Sequence, residues 1–373
     1  MGTYPTRWPA NFLLLSNIIF MKEYILLGDF FMLKIKYSWW IIWLKKNFFS
    51  IISIIFLISL IIFSETNFIA AKNGILLWAE SVLPTLFPFF VATELLCNTN
   101  LIYILGKYLK TIVKKLFNVP GEGVMALLLG IISGYPTGAK VIVDLKEKGI
   151  LNKEEAERLL AFTNNSGPLF ILGTIGISFL NNKEIGYVLL ITHILAALTV
   201  GILFRKWKAD KKIYLKTHNF NREENKNLSL SRFGEILGNS IKKSILTILN
   251  IGGFIVMFSV IISILEESKL FFIISYILEM CGFNGKFVIG IIKGCLELTN
   301  GAKIVSLYAF SKFNIGIIAF LLGFGGLSVM LQVYSIVGKE NISIKSYIYG
   351  KLLQGGLAFI YTVIILNFGN FGV

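Results

Sequence analysis

Two short stretches place glycines, hydroxyls, amides and a lysine where a lipid-facing helix tolerates none of them. Ser133 to Lys140 reads SGYPTGAK and closes the apolar run VMALLLGII; Leu296 to Lys303 reads LELTNGAK. Glycine near lysine first suggests a phosphate cradle. A P-loop needs G-x-x-x-x-G-K-[ST] between a strand and a helix. Here Ala139 separates Gly138 from Lys140, Val141 follows where Ser or Thr is required, and no strand–helix context surrounds the motif. The P-loop is excluded.

The other chemistry is that of a helical hairpin that half-crosses a membrane and returns. Gly134 and Gly138 permit tight backbone, Pro136 stops the first arm, and Thr137 is placed to cap the second. The free N–H groups and positive dipole end of that second arm then point into the membrane interior. Lys140 falls in its first turn. A lysine at membrane depth costs about 2.5–3.5 kcal/mol on insertion scales, and a helix N-terminus is the wrong end for a cation. Both placements call for an anion. The second stretch repeats the device: Thr299 and Asn300 as cap, Gly301, then Lys303, with Glu297 ahead of the turn. Together they outline a pocket for a small anion. Its lining would be Lys140, Lys303, Glu297, Thr137, Gly138, Gly301, and the amides and hydroxyls of Thr163, Asn164, Asn165, Ser166, Thr299 and Asn300. A plainer reading stays open: either lysine pairs with Glu297 or reaches the headgroups and only locks its hairpin. The Asn and Ser residues would then merely satisfy freed backbone groups. Glu297 is open between carrying a proton and neutralising a lysine.

The elements that must position these residues are membrane helices. The 373 residues are 55% hydrophobic and only 15% charged, too few charges for a soluble domain. Apolar spans are expected at about Phe48–Ser64, Ile75–Leu96 (interrupted by Pro84 and Pro88), Ile185–Phe204, Ser244–Leu265, Ile315–Val337 (broken by Gly323, Gly325 and Gly326) and Tyr347–Asn367. LIYILGKYLKTIVKKLF has one apolar and one basic face and is expected on the membrane surface. In AFTNNSGPLFILGTIG, residues Thr163 to Pro168 interrupt an apolar span, which is tolerated only where they face protein or a cavity. The net charge of +15 fits basic cytoplasmic loops better than nucleic-acid binding.

The chain reads as four parts: residues 1–46 an N-terminal extension, 47–204 a first membrane repeat, 205–243 a basic cytoplasmic loop, and 244–373 a second repeat. Met21 and Met32 are alternative starts, and Trp39, Trp40 and Trp43 beside Lys45 and Lys46 resemble an interfacial anchor. The loop carries eleven basic residues against four acidic ones. GAK recurs at Lys140 and Lys303, an offset of 163, and that offset keeps the elements in the same order. With Lys45 and Lys46 in the cytoplasm, counting spans brings hairpin one in from the inside and hairpin two from the outside. The fold class expected is an all-α polytopic membrane protein with an inverted repeat, each half holding a re-entrant hairpin and a broken helix, and a site near the midplane.

SGYPTGAK, FTNNSGPLFILGTIG, GCLELTNGAKIVS and LLGFGGLSVMLQV together resemble the YlbJ-like (SpoVV) sporulation integral membrane proteins of the nucleoside-recognition, or Gate, superfamily. The resemblance covers about Phe48 to Asn367. It implies a multi-pass protein of the mother-cell-derived outer forespore membrane that moves dipicolinate toward the forespore. It also implies paired hairpins and broken helices like those of concentrative nucleoside transporters. The family pattern near Ser328 has a histidine where this chain has Met330, which puts that side chain's role in doubt. Dipicolinate, a planar dicarboxylate, suits a two-lysine pocket.

Rival functions are a transporter of nucleosides or other neutral solutes, and a non-transport organiser of spore assembly. No H-E-x-x-H, G-x-S-x-G or paired membrane aspartates occur, so no enzyme is expected; His193 reads as a buried, hydrogen-bonded residue. Cys97, Cys281 and Cys295 have no metal-like spacing. Neither cofactor nor metal is expected. The partners expected are the bilayer and a small anionic substrate; a second copy or another sporulation membrane protein is left open.

Overall fold

The computed structural model describes residues 43–97, 101–209, 230–308 and 310–369. Met21, Met32, Trp39, Trp40 and most of the basic loop lie outside them. Every regular element among the described residues is helical. Six helices are long and apolar enough to cross a membrane: Trp43–Ile62, Ser64–Ala92, Lys183–Phe204, Phe233–Glu267, Lys312–Glu340 and Lys345–Phe368.

The chain divides into two units, Met1–Ser64 and Glu65–Val373. The first contributes α1 (Trp43–Ile62), whose Phe49, Ile61 and Ile62 are exposed. In a soluble protein such a surface would aggregate; in a bilayer it faces lipid.

The second unit opens with α2 (Ser64–Leu77), which passes through a π-helical turn at Trp78–Val82 into α3 (Leu83–Cys97). This span therefore begins earlier than Ile75. Pro84 and Pro88 lack N–H groups, so the α ladder cannot run through them unaltered, and a widened turn absorbs the mismatch. The Thr85 and Thr174 hydroxyls both donate to the Ser81 carbonyl, at 2.8 and 3.2 Å.

α4 (Leu101–Phe117) ends in Lys114 and Lys115. Its last part meets the segment Gly121–Ile132 at 101°. Lys110 pairs with Glu122 across that corner. The bend agrees with a surface helix followed by a segment that dives inward. Hairpin one is α5 (Val124–Ile132) and α6 (Thr137–Glu147). At about 1.5 Å per residue these arms reach about 14 and 17 Å, half of a roughly 30 Å hydrocarbon core.

A reciprocal cap starts α7 (Lys153–Thr163). Asn152 Oδ1 accepts from the Glu155 N–H at 2.8 Å, and Glu155 Oε2 accepts from the Asn152 N–H at 2.9 Å. The helix stops at Thr163, runs irregularly from Asn164 to Gly167, and resumes in a π-helical arm, Phe170–Phe179. The span α8 (Lys183–Phe204) closes the first repeat.

The second repeat has the same order. α9 (Leu230–Glu267) and α10 (Leu270–Met280) lead to hairpin two, α11 (Gly285–Leu296) and α12 (Leu298–Ser306). The second broken helix is α13 (Lys312–Phe324) and α14 (Gly326–Val337), and α15 (Lys345–Phe368) ends the fold. Two boundaries differ from the sequence reading. Residues 230–243, assigned to the loop, already belong to α9, which runs from Leu230 into the span without a break. Gly323 does not break a helix: it lies inside α13, where an added Cβ would stand 2.7 Å from the Gly355 Cα. The break is at Gly325 and Gly326, with φ of +83° and +80°.

The repeats are inverted, as the ends of α15 show. Near its start, Lys146, in the last turn of hairpin one, bonds Glu340 at 3.1 Å, and Glu157 accepts from the Ser343 N–H. Near its far end, Lys312, just after hairpin two, bonds Asn367 at 3.2 Å. The open ends of the two hairpins thus sit at opposite ends of one spanning helix.

Candidate functional site

The hairpin tips and the helix breaks converge on one cavity. Hairpin one contributes Ser133, Gly134 and Tyr135; hairpin two contributes Glu297 and Thr299. Gly167 enters from the first break, and Ser328 and Gln332 from α14. Val82, Leu86 and Phe90 of α3, with Ile251 and Ile255 of α9, form the apolar wall. The free space is about 30 Å³, enough for one or two waters. Any organic solute requires the tips to part.

The two tips are built differently. In hairpin two the N-cap of α12 is Glu297, not Thr299 or Asn300. Its carboxylate accepts from the Thr299 N–H at 3.0 Å and from the Asn300 N–H at 2.7 Å. The Asn300 side-chain amide adds a bond to Glu297 Oε2 at 3.0 Å and another to Ser259 Oγ at 3.0 Å. Glu297 is 3% exposed. The positive end of this arm is therefore answered from within the chain, and Glu297 neutralises neither lysine. In hairpin one, α6 begins at Thr137 with Pro136 in the capping position and no side-chain cap, so Thr137 does not act as the cap. This tip is instead seated on backbone. An added Cβ at Gly130 or Gly138 would meet the Thr163 carbonyl oxygen at 1.7 or 2.5 Å. Gly134, with φ +75°, would meet the Gly167 nitrogen at 2.7 Å. Only glycine allows that approach. Gly301 has the same packing duty inside hairpin two, 1.9 Å from the Gly294 Cα for an added Cβ.

Lys140 and Lys303 are both exposed and line no part of the cavity. This corrects the two-lysine pocket. Each sits on the second arm of its hairpin, on the face turned from the partner arm. The charged groups that act on Lys140 are Glu94, Lys243 and Asp144.

Behind the first break lies a buried polar cluster. Asn164 donates to the Tyr347 hydroxyl at 3.2 Å. Asn165 donates to the Phe162 carbonyl at 2.7 Å and accepts from Gln354 at 2.9 Å. The Ser166 N–H donates to His193 Nε2 at 3.2 Å, and its hydroxyl to the Leu322 carbonyl at 3.4 Å. Lys351 donates to Gln354 Oε1 at 2.8 Å. Thr163 bonds back to the Leu159 carbonyl at 2.9 Å, a local role. The amides expected at the break thus do face protein, but they tie it to α8, α13 and α15, behind the cavity. Met330 packs among apolar residues while its neighbours Ser328 and Gln332 reach the cavity.

Sequence reasoning missed Tyr135, Gln332, Lys351 and Gln354. Tyr135 was read as part of a turn. Lys351 and Gln354 carried a usable signal: a cation and an amide three apart inside an apolar span, on one helical face.

A multi-pass helical membrane protein with two hairpins closing on one cavity is the class that this fold and site define. Comparisons with known proteins narrow it. The family described as nucleoside recognition, or Gate, matches residues 79–174, from the π turn through hairpin one and the first break. The chain is 33% identical over 317 residues to the sporulation integral membrane protein YlbJ of Bacillus subtilis (strain 168), covering 81% of this chain and 78% of that protein. The chain belongs to the family of YlbJ sporulation integral membrane proteins. Among solved structures, a CNTnw variant in its intermediate 3 state shares the fold, with a TM-score of 0.54 over 87% of this chain and 85% of that one at 13% identity.

Proposed function

We propose that this chain is a secondary transporter that moves dipicolinate from the mother cell toward the forespore through the outer forespore membrane. The observation that carries the transport reading is the small cavity formed where two inverted hairpins meet two helix breaks. Family membership supports the sporulation setting. The cavity also offers Tyr135, Phe90 and Phe170 as flat apolar surface and Ser133, Thr299, Ser328 and Gln332 as hydrogen-bonding groups. These suit a planar, acceptor-rich ring. The lysines do not contribute, so the cargo is not held by ion pairs. Glu297 beside it repels a carboxylate unless one of the two carries a proton.

A second reading is a neutral, nucleoside-like solute. The specific observation favouring it is Glu297, an acceptor in a cavity that no cationic side chain lines. Uptake of labelled dipicolinate and labelled uridine into proteoliposomes, against protein-free vesicles, separates the two. Dipicolinate uptake that excess unlabelled uridine leaves unchanged supports the first. Uridine uptake alone establishes the second. Neither solute entering with folded protein overturns transport of both and moves the weight to an organiser of spore assembly.

A further inference from the structure

Lys351 is 1% exposed. Its ammonium has Gln354 Oε1 at 2.8 Å and the Tyr347 ring centroid at 5.9 Å. Among the described residues no carboxylate lies within salt-bridge distance of it. An ammonium carries three donors, and burying one without a counter-ion is among the costlier acts a membrane protein performs. A leucine at this position would pack without that cost.

The surroundings come from every element packed on this part of α15. The first break presents Asn164, Asn165 and Ser166; α8 presents His193; α13 presents the Leu322 carbonyl; α15 itself adds Tyr347 and Gln354. His193, Tyr347 and Tyr135, whose hydroxyl bonds Ser166, are the other titratable groups there, and none of them carries a carboxyl. Glu157 and Arg158 on α7 belong to the end of the bundle, bonded to Lys208 and to the Trp207 carbonyl. Glu297 stands on the cavity side, beyond Tyr135 and Ser166. Two side-chain atoms in the cluster, Asn164 Oδ1 and His193 Nδ1, are buried without any hydrogen-bond partner. Buried polar atoms are ordinarily paired. A cluster with spare donors on an amine and a spare amide acceptor, wired to a helix break, fits a site that gains and loses a proton as the break moves.

We propose that Lys351, with Asn164, Asn165 and Gln354, forms a proton-binding site that couples cargo movement to proton flux. The inference rests on the transport reading and deepens it. The step balances simply: a hydronium ion reaching the opened break gives its proton to the neutral amine and leaves as water, an N–H bond forming. On the other side the ammonium returns a proton to water, and nothing is oxidised or reduced. Net charge then alternates behind the break while Glu297 stays on the cavity side.

Two experiments test it on the full-length protein. In proteoliposomes carrying labelled dipicolinate, the parent accumulates cargo down an imposed proton gradient. For one proton per cycle the accumulation ratio rises about tenfold per pH unit, and replacing sodium by choline leaves it unchanged. Lys351→Met and Lys351→Arg retain cargo exchange and lose the response to the proton gradient; the arginine variant separates titration from mere positive charge. A requirement for sodium, or a gradient response kept by either variant, overturns the proposal. Independently of cargo, NMR of parent protein labelled at its lysine side chains shows one signal, absent from Lys351→Arg, that changes ionisation between about pH 5 and 9, where an ordinary lysine stays charged. No such signal in folded parent overturns the proton site even if uptake is seen. A titrating signal with no uptake overturns the transport reading and leaves the proton site standing.

Discussion

The two hairpins occupy equivalent places in inverted repeats and carry the same GAK triplet, yet only one holds an internal charge at its tip. Hairpin two closes the positive end of its second arm with the Glu297 carboxylate and a three-bond cap. Hairpin one leaves its second arm without a side-chain cap and rests on the Thr163 carbonyl and Gly167 instead. The first is therefore an electrostatic and hydrogen-bonded latch, sensitive to what enters the cavity beside it. The second is a steric seat. Sequence repetition set the frame, and the cap residue, four positions ahead of the repeated triplet, set the difference.

The seats give the largest expected effects. Gly130→Val and Gly301→Val force a side chain into backbone at 1.7 and 1.9 Å from a Cβ alone. Each costs about 3 kcal/mol or more, or abolishes folding. Gly253→Ala, with nothing within 4 Å, stays within about 0.5 kcal/mol. Thermal unfolding of purified protein in detergent reads all three. Equal stability of the valine variants would mean that these contacts do not form.

The latch comes next. Glu297→Ala removes a buried cap and loses about 1–3 kcal/mol, whereas Thr137→Ala in hairpin one, which loses no cap bond, loses about 0.5 kcal/mol or less. The same melts check both. A Thr137 variant as damaged as the Glu297 variant would erase the contrast between the tips. At the α4–α5 corner, Lys110→Ala breaks an exposed ion pair and shifts stability by about 0.2–1 kcal/mol, with an effect that shrinks in salt. Smallest of all are Lys140→Ala and Lys303→Ala. Exposed and outside the cavity, they leave proteoliposome uptake of dipicolinate near the parent rate. Loss of uptake in a correctly inserted double variant would return the lysines to the site.

The frame was legible in the sequence because short apolar arms, interrupted spans and a fixed repeat offset follow from bilayer thickness and backbone satisfaction. Hairpins at SGYPTGAK and LELTNGAK and breaks at TNNSG and GFGG needed no tertiary information. The direction of the side chains was not legible. Whether Lys140 faces a partner arm or the outside depends on the helix phase at a tip, which Pro136 and Gly134 reset. Whether Glu297 pairs with a lysine or turns back onto its own helix depends on one extended residue at the N-cap. Lys351 was legible in principle, since a cation inside an apolar span announces itself, but it lies far in sequence from the motifs and touches the break only through the packing of α15.

The seat of hairpin one has a mechanical consequence. Where Gly134 meets Gly167, and Gly130 and Gly138 meet Thr163, the surfaces in contact are bare main chain. Interlocked side chains must change rotamer to come apart, and each such change adds a barrier. Two smooth main-chain faces have none to change, so no rotamer barrier would oppose their parting. The tip works like a machined valve face, on which a single added methyl is grit.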